Sequence, residues 1–129
     1  MDRSDLLTMD TDSWDQILNL NTRAVWLCSR EAAKRMGEGG LILNISDVGA
    51  QKNWTGYGAY VVSKSAVDTL TKVMAKQLAP AVRVCAIAPG LLLQAKGHSH
   101  NDWDQLSFKV PLQRAAQPRG HRRRVARRR

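Results

Sequence analysis

A chain of 129 residues has room for one core, and its formal net charge of +9 would suggest a nucleic-acid surface if that charge were spread over the fold. It is not spread: eight arginines and no acid lie in "RAAQPRGHRRRVARRR", Arg114 to Arg129, which leaves 12 basic against 11 acidic residues over residues 1–113. No apolar run approaches the roughly 20 residues that span a bilayer, and Asp2, Asp5 and Asp10 stand where a secretion signal carries positive charge, so a membrane partner is excluded and a cytoplasmic location expected.

From "TDSWDQ" to "KRMGEGG" the residues Trp14, Ile17, Leu18, Ala24, Val25, Leu27, Cys28, Ala32 and Met36 recur at helical spacing. This predicts one long helix, capped by Asp12 or Thr11 and closed by Lys34, Arg35 and the glycines Gly37, Gly39 and Gly40. "LILNIS" is a continuous apolar run between glycines and a loop, the pattern of a strand buried on both faces. After the loop "DVGAQKNWTGYG", a second long helix is expected from about Tyr57 to Ala79, stopped by Pro80. "VRVCAIA" then reads as a second buried strand, ended by Pro89 and Gly90. Helix, strand, helix, strand with apolar strands is the grammar of a parallel sheet, here half of a doubly wound α/β domain. Beyond Gly90 a short helix is expected around Asn101 to Lys109, and the arginine-rich residues 114–129 are expected to be disordered. Cys28 and Cys85, in apolar surroundings and without metal-ligand spacing, read as buried thiols in a reducing compartment. His98, His100 and His121 lack acidic partners at ligand spacing, so no metal is expected.

Residues four apart share one helix face, so Tyr60 and Lys64 present a phenol and an ammonium to the same space. A neighbouring cation favours the phenolate, bringing a group with an ordinary pKa of about 10 toward useful acid–base chemistry. The spacing alone also fits any amphipathic helix.

Taken with its surroundings, the pattern resembles the later half of the short-chain dehydrogenase/reductase family, from about Leu6 to Leu93 and more weakly to Gln113. "SWDQILNLN" is similar to the family's Trp-led helix, whose asparagine holds a water in a proton relay; that role would fall on Asn21. "GAYVVSK" matches the family's tyrosine and lysine at Tyr60 and Lys64, and "VRVCAIAPG" matches the strand and turn along the nicotinamide, which implies cofactor contacts from Pro89, Gly90 and Leu92. The resemblance implies a Rossmann-type fold, NADP or NAD as cofactor, Tyr60 as proton donor, and Lys64 as ribose anchor and modulator of the phenol. It also implies a homodimer or homotetramer through the two long helices, and a small-molecule substrate.

Thirteen residues before the tyrosine the family usually has serine, and this chain has Asp47, with Ser46 one place earlier. A hydroxyl can donate to a developing oxyanion, whereas an ionised carboxylate only accepts. Asp47 therefore points away from simple carbonyl reduction and toward a C=N bond, an arrangement similar to that of pteridine and dihydromonapterin reductases in the same family. Two alternatives stay open: Asp47 caps the loop, or Ser46 takes the role. Trp54 and Tyr57 either line a flat aromatic substrate or cover the core. Cys85 and Gln94 replace residues that are often asparagine and threonine in the family.

The sequence has no glycine-rich turn between a strand and a helix of the kind that cradles a pyrophosphate. By the resemblance the chain begins just after the family's fourth strand, and the exposed edges and helix faces that follow would favour self-association. The tail keeps three readings: a nucleic-acid contact, a solvated appendage, or an out-of-frame continuation after "KVPLQRAAQP".

Overall fold

In a computed structural model the described residues are 5–92 and 100–116. The expectations for Gln94, for the side chains of the three histidines and for residues 117–129 lie outside them. The chain divides into two compact units, residues 1–88 and 89–129.

In the first unit the expected single helix is interrupted. Helix α1 (Thr11–Leu18) runs into a five-residue π-helical turn, Asn19–Arg23, and resumes as α2 (Ala24–Arg35). The cap is one residue earlier than Thr11: Asp10 stands in extended geometry and its carboxylate accepts the Ser13 N–H at 2.8 Å, satisfying one of the free donors of the first turn. At the other end Gly39 takes φ +84°, a conformation that a β-carbon would strain. Strand β1 (Gly40–Ile45), the short helix α3 (Gly49–Lys52), helix α4 (Gly58–Leu78) and strand β2 (Val82–Ile87) follow. Helix α4 stops where Pro80 forces Ala79 out of helical geometry, to ψ 145°.

The strands pair in parallel, Gly40 opposite Val82 through Ile45 opposite Ile87, as the order of elements requires. Ile42, Val82 and Val84 face Met74 of α4, with Ala32 and Ala33 of α2 packed beside them. The core thus lies on one face of the sheet. Leu41, Leu43 and Ile45 on the other face are 46%, 50% and 50% exposed, so the strand expected to be covered on both sides is covered on one. Cys28 and Cys85 are likewise exposed, not buried. Apolar neighbours along the chain do not reveal whether a second layer covers them.

A buried polar chain crosses this core. Ser29 of α2 donates to Asn44 Oδ1 at 3.2 Å, Asn44 Nδ2 donates to Thr71 Oγ1 at 2.9 Å, and Thr71 donates to the Val67 carbonyl at 2.8 Å. Asn44 ties strand β1 to both α2 and α4, and its loss leaves buried groups without partners. Asn44→Ala is expected to cost about 2 to 3 kcal/mol in denaturant unfolding, while Lys72→Ala on the exposed face of α4 stays within about 0.5 kcal/mol of wild type.

The second unit holds α5 (His100–Phe108), matching the short helix expected there, followed by turns in which Gln113 takes φ 51°. Ala116 donates its N–H to the Leu91 carbonyl at 2.9 Å, joining the segments before and after α5. Among the described residues no helix is long and apolar enough to cross a membrane.

Candidate active site

In parallel sheets, chemistry gathers beyond the carboxyl ends of the strands, where loops leave and helices begin. Here β1 ends at Ile45 and the chain turns through Ser46 and Asp47. The Ser46 N–H extends the ladder to the Ile87 carbonyl at 2.8 Å. Its side chain is 2% exposed, and its hydroxyl donates to the Lys64 carbonyl at 3.4 Å. Ser46 thus links the end of β1 to both β2 and α4.

Asp47 does two things at once. Its Oδ1 accepts the Gly49 N–H at 2.6 Å, closing a tight turn into α3, and its Oδ2 accepts the Tyr60 hydroxyl at 2.9 Å. One oxygen of the carboxylate thus caps the loop while the other meets the phenol. Gly49 is needed for this approach. A β-carbon there would come within 3.0 Å of Asp47 Oδ1 and within 2.9 Å of the Trp54 ring. Trp54 stacks edge-on against Tyr57, with ring centroids 6.4 Å apart, and remains partly exposed beside the loop.

Lys64, one turn beyond Tyr60, sends its Nζ to the Ile45 carbonyl at 3.0 Å and lies 5.7 Å from the centre of the Tyr60 ring. In this state the phenol is pushed above its ordinary pKa, first by burial and then by the hydrogen bond to, and the charge of, Asp47. The expected lowering by Lys64 is not what this state displays. The physical reason is plain: the ammonium is turned to a backbone carbonyl, while the carboxylate touches the hydroxyl directly.

The titration follows from that sign. Tyr60 in the folded chain holds its proton to higher pH than in the unfolded chain, so its contribution to stability is complete below a pH of about 10 and is lost as pH rises through the folded value. Tyrosinate absorbance that is lost in Tyr60→Phe is expected to develop only above the ordinary range of a tyrosine. Asp47→Asn, which removes the charge, is expected to bring Tyr60 back toward the ordinary range.

Asn21 sits in the π-helical turn, and its Nδ2 donates to Ser63 Oγ at 3.1 Å. With Lys64 it lines a groove of about 650 Å³ that runs along β1 and is otherwise mostly apolar, with Val25, Cys28, Leu41 and Leu43 among its walls. Asp47 and Tyr60 are not part of that lining; Lys64 is the residue common to the groove and the phenol. The first unit thus assembles Asn21, Asp47, Tyr60 and Lys64 around the carboxyl end of β1. Pro89, Gly90 and Leu92 belong to the second unit, directly after β2. Ser63 and the Ser29–Asn44–Thr71 chain were not singled out from sequence. A polar residue inside the apolar run "LILNIS" was the available signal for Asn44. Among the described residues no group of three His, Cys, Asp or Glu side chains could hold a metal ion.

The family model described as enoyl-(acyl carrier protein) reductase matches residues 1–126. A short-chain type dehydrogenase/reductase of Picea abies is 42% identical over 82 residues, covering 61% of this chain and 30% of that protein. The chloroplastic NADPH-dependent aldehyde reductase 2 of Arabidopsis thaliana is 38% identical over 90 residues, 67% of this chain and 33% of that protein. Among solved structures, FolM alternative dihydrofolate reductase 1 of Brucella canis, complexed with NADP, superposes with a TM-score of 0.86 at 29% identity, over 95% of this chain and 51% of that one. The chain spans about a third of these two curated relatives and about half of this solved structure. With a family model matched along nearly its whole length and the tyrosine, lysine and parallel strands in place, the chain belongs to the short-chain dehydrogenase/reductase family.

Proposed function

We propose that this chain supplies the proton-donating part of an NADP(H)- or NAD(H)-dependent reductase site whose substrate presents a C=N bond in a flat, pterin-like ring. The observation that carries this reading is the hydrogen bond from Tyr60 to the Asp47 carboxylate on the helix that also bears Lys64. The FolM structure, a dihydrofolate reductase complexed with NADP, is a relative compatible with it.

The donor set fits the ribose end of a nicotinamide cofactor. Lys64 has three N–H groups and spends one on Ile45, leaving two for vicinal hydroxyls. A bound reduced nicotinamide supplies the hydride that reaches the substrate carbon. Asp47, an acceptor, orients an N–H of the substrate and repels a developing oxyanion, so it selects nitrogen over oxygen. As that substrate N–H takes its place on the carboxylate, the Tyr60 hydroxyl is freed to give its proton to the ring nitrogen. The C=N bond thereby becomes CH–NH. Lys64 then offsets the negative charge left on the phenol oxygen, and Asn21 helps return a proton from water.

The test is NADPH consumption by the enzyme carrying this chain together with a glycine-rich nucleotide-binding half, with a dihydropterin and a simple aldehyde as competing substrates. The reading expects kcat/KM for the dihydropterin to be larger by at least about tenfold. A preference for the aldehyde would refute it.

A further inference from the structure

A serine inside a helix usually turns its hydroxyl back on the preceding turn, and Ser63 does so, donating to the Tyr60 carbonyl at 2.7 Å. That bond uses its only proton. The oxygen that remains can only accept, so the Asn21 side chain can meet it only with its amide nitrogen, which it does at 3.1 Å. The acceptor end of that amide, Oδ1, is thereby left available to water or substrate, and among the described residues it has no protein hydrogen-bond partner. A second link runs alongside: Thr22 Oγ1 donates to the Ser63 carbonyl at 3.0 Å. Successive side chains on an α-helix diverge by about 100°. The wider π-helical turn at Asn19–Arg23 closes that angle and lets Asn21 and Thr22 engage the same residue of α4. Ser63 itself is 0% exposed, so its hydroxyl has no water to exchange these partners for.

We infer that Ser63 is a positioning residue: it fixes which end of the Asn21 amide faces the groove, and it ties the π-helical turn to the backbone of Tyr60. The inference rests on the reading of Asn21 as a proton-relay group. It adds a residue that touches neither substrate nor cofactor and acts through Asn21. The Ser63 side chain therefore matters by the direction in which its proton is spent.

The test has two arms. In the full 129-residue chain, NMR follows the Asn21 side-chain amide protons, identified by their loss in Asn21→Ala. Ser63→Ala is expected to speed their exchange with water about five- to tenfold. Ser65→Ala, also on α4, removes a hydroxyl contact to the Ala50 carbonyl of α3 and is expected to leave them unchanged. Ser63→Cys, close in size but a poor acceptor, should act in the same direction as alanine and serves if alanine unfolds the chain. Unchanged Asn21 protons in a folded Ser63 variant overturn the inference.

In the enzyme carrying this chain, Ser63→Ala is expected to lower kcat about tenfold with KM within about twofold, and to add no further loss when Asn21 is already alanine. Losses that simply multiply would overturn it. The exchange arm needs no turnover. Full activity in a Tyr60→Phe enzyme would therefore sink the proton-donor reading while the role of Ser63 toward Asn21 was still decided by NMR.

Discussion

Tyr60→Phe in the enzyme carrying this chain is expected to lower kcat for dihydropterin reduction by about three orders of magnitude, with little change in KM. Proton donation by a positioned side chain contributes about 10²- to 10⁴-fold. Here the donor is held protonated by burial and by the adjacent carboxylate. The ring itself remains, as does the turn below it, because Asp47 Oδ1 keeps its bond to Gly49. Circular dichroism should therefore report an intact fold. A variant that retained more than about a third of the rate would remove Tyr60 from the chemistry.

Asp47→Ser is the second large effect, and it concerns choice of substrate more than rate. A serine hydroxyl restores a donor where the present chain has only an acceptor, which favours a developing alkoxide and forfeits the clamp on a substrate N–H. The ratio of kcat/KM for an aldehyde to that for a dihydropterin is expected to rise about a hundredfold. The phenol of Tyr60 also loses the charge that raises its pKa, so the pH at which activity falls should move downward along with its titration. Parallel loss of both activities, with the ratio unmoved, would show that Asp47 only shapes the turn.

Much of the architecture was legible because the apolar periods of α2, α4 and both strands are strong and their ends are marked by glycine or proline. The interruption at Asn19–Arg23 was not, since one wide turn disturbs the helical period too briefly to register in the spacing of Trp14, Ile17, Leu18 and Ala24. The cap fell on Asp10 instead of Thr11 or Asp12 because several adjacent acids and hydroxyls qualify, and backbone geometry chooses among them. Leu41, Leu43, Ile45 and the two cysteines read as buried from apolar sequence alone, yet burial depends on whether a second layer packs on that face, which apolar character does not record.

At the site, spacing placed Tyr60 and Lys64 on one face and put Asp47 at the right distance along the chain. It could not give the direction of the phenol's pKa. That depends on which partner each charge selects, and in this state Lys64 selects the Ile45 carbonyl while Asp47 selects the hydroxyl. Ser63 was hidden for a similar reason: a serine on a helix carries no mark in sequence of where its proton goes.

Tyr60, Lys64 and Asn21 are proposed to form one site that receives the nicotinamide end of a cofactor. Nicotinamide mononucleotide lacks the adenine half, so its binding does not require a glycine-rich turn, and it can be titrated directly into this chain. Saturable NMR shifts centred on Lys64, Tyr60 and Asn21 are expected, and they should disappear in Lys64→Ala. Shifts confined to other residues, or a titration unaffected by Lys64→Ala, would contradict it.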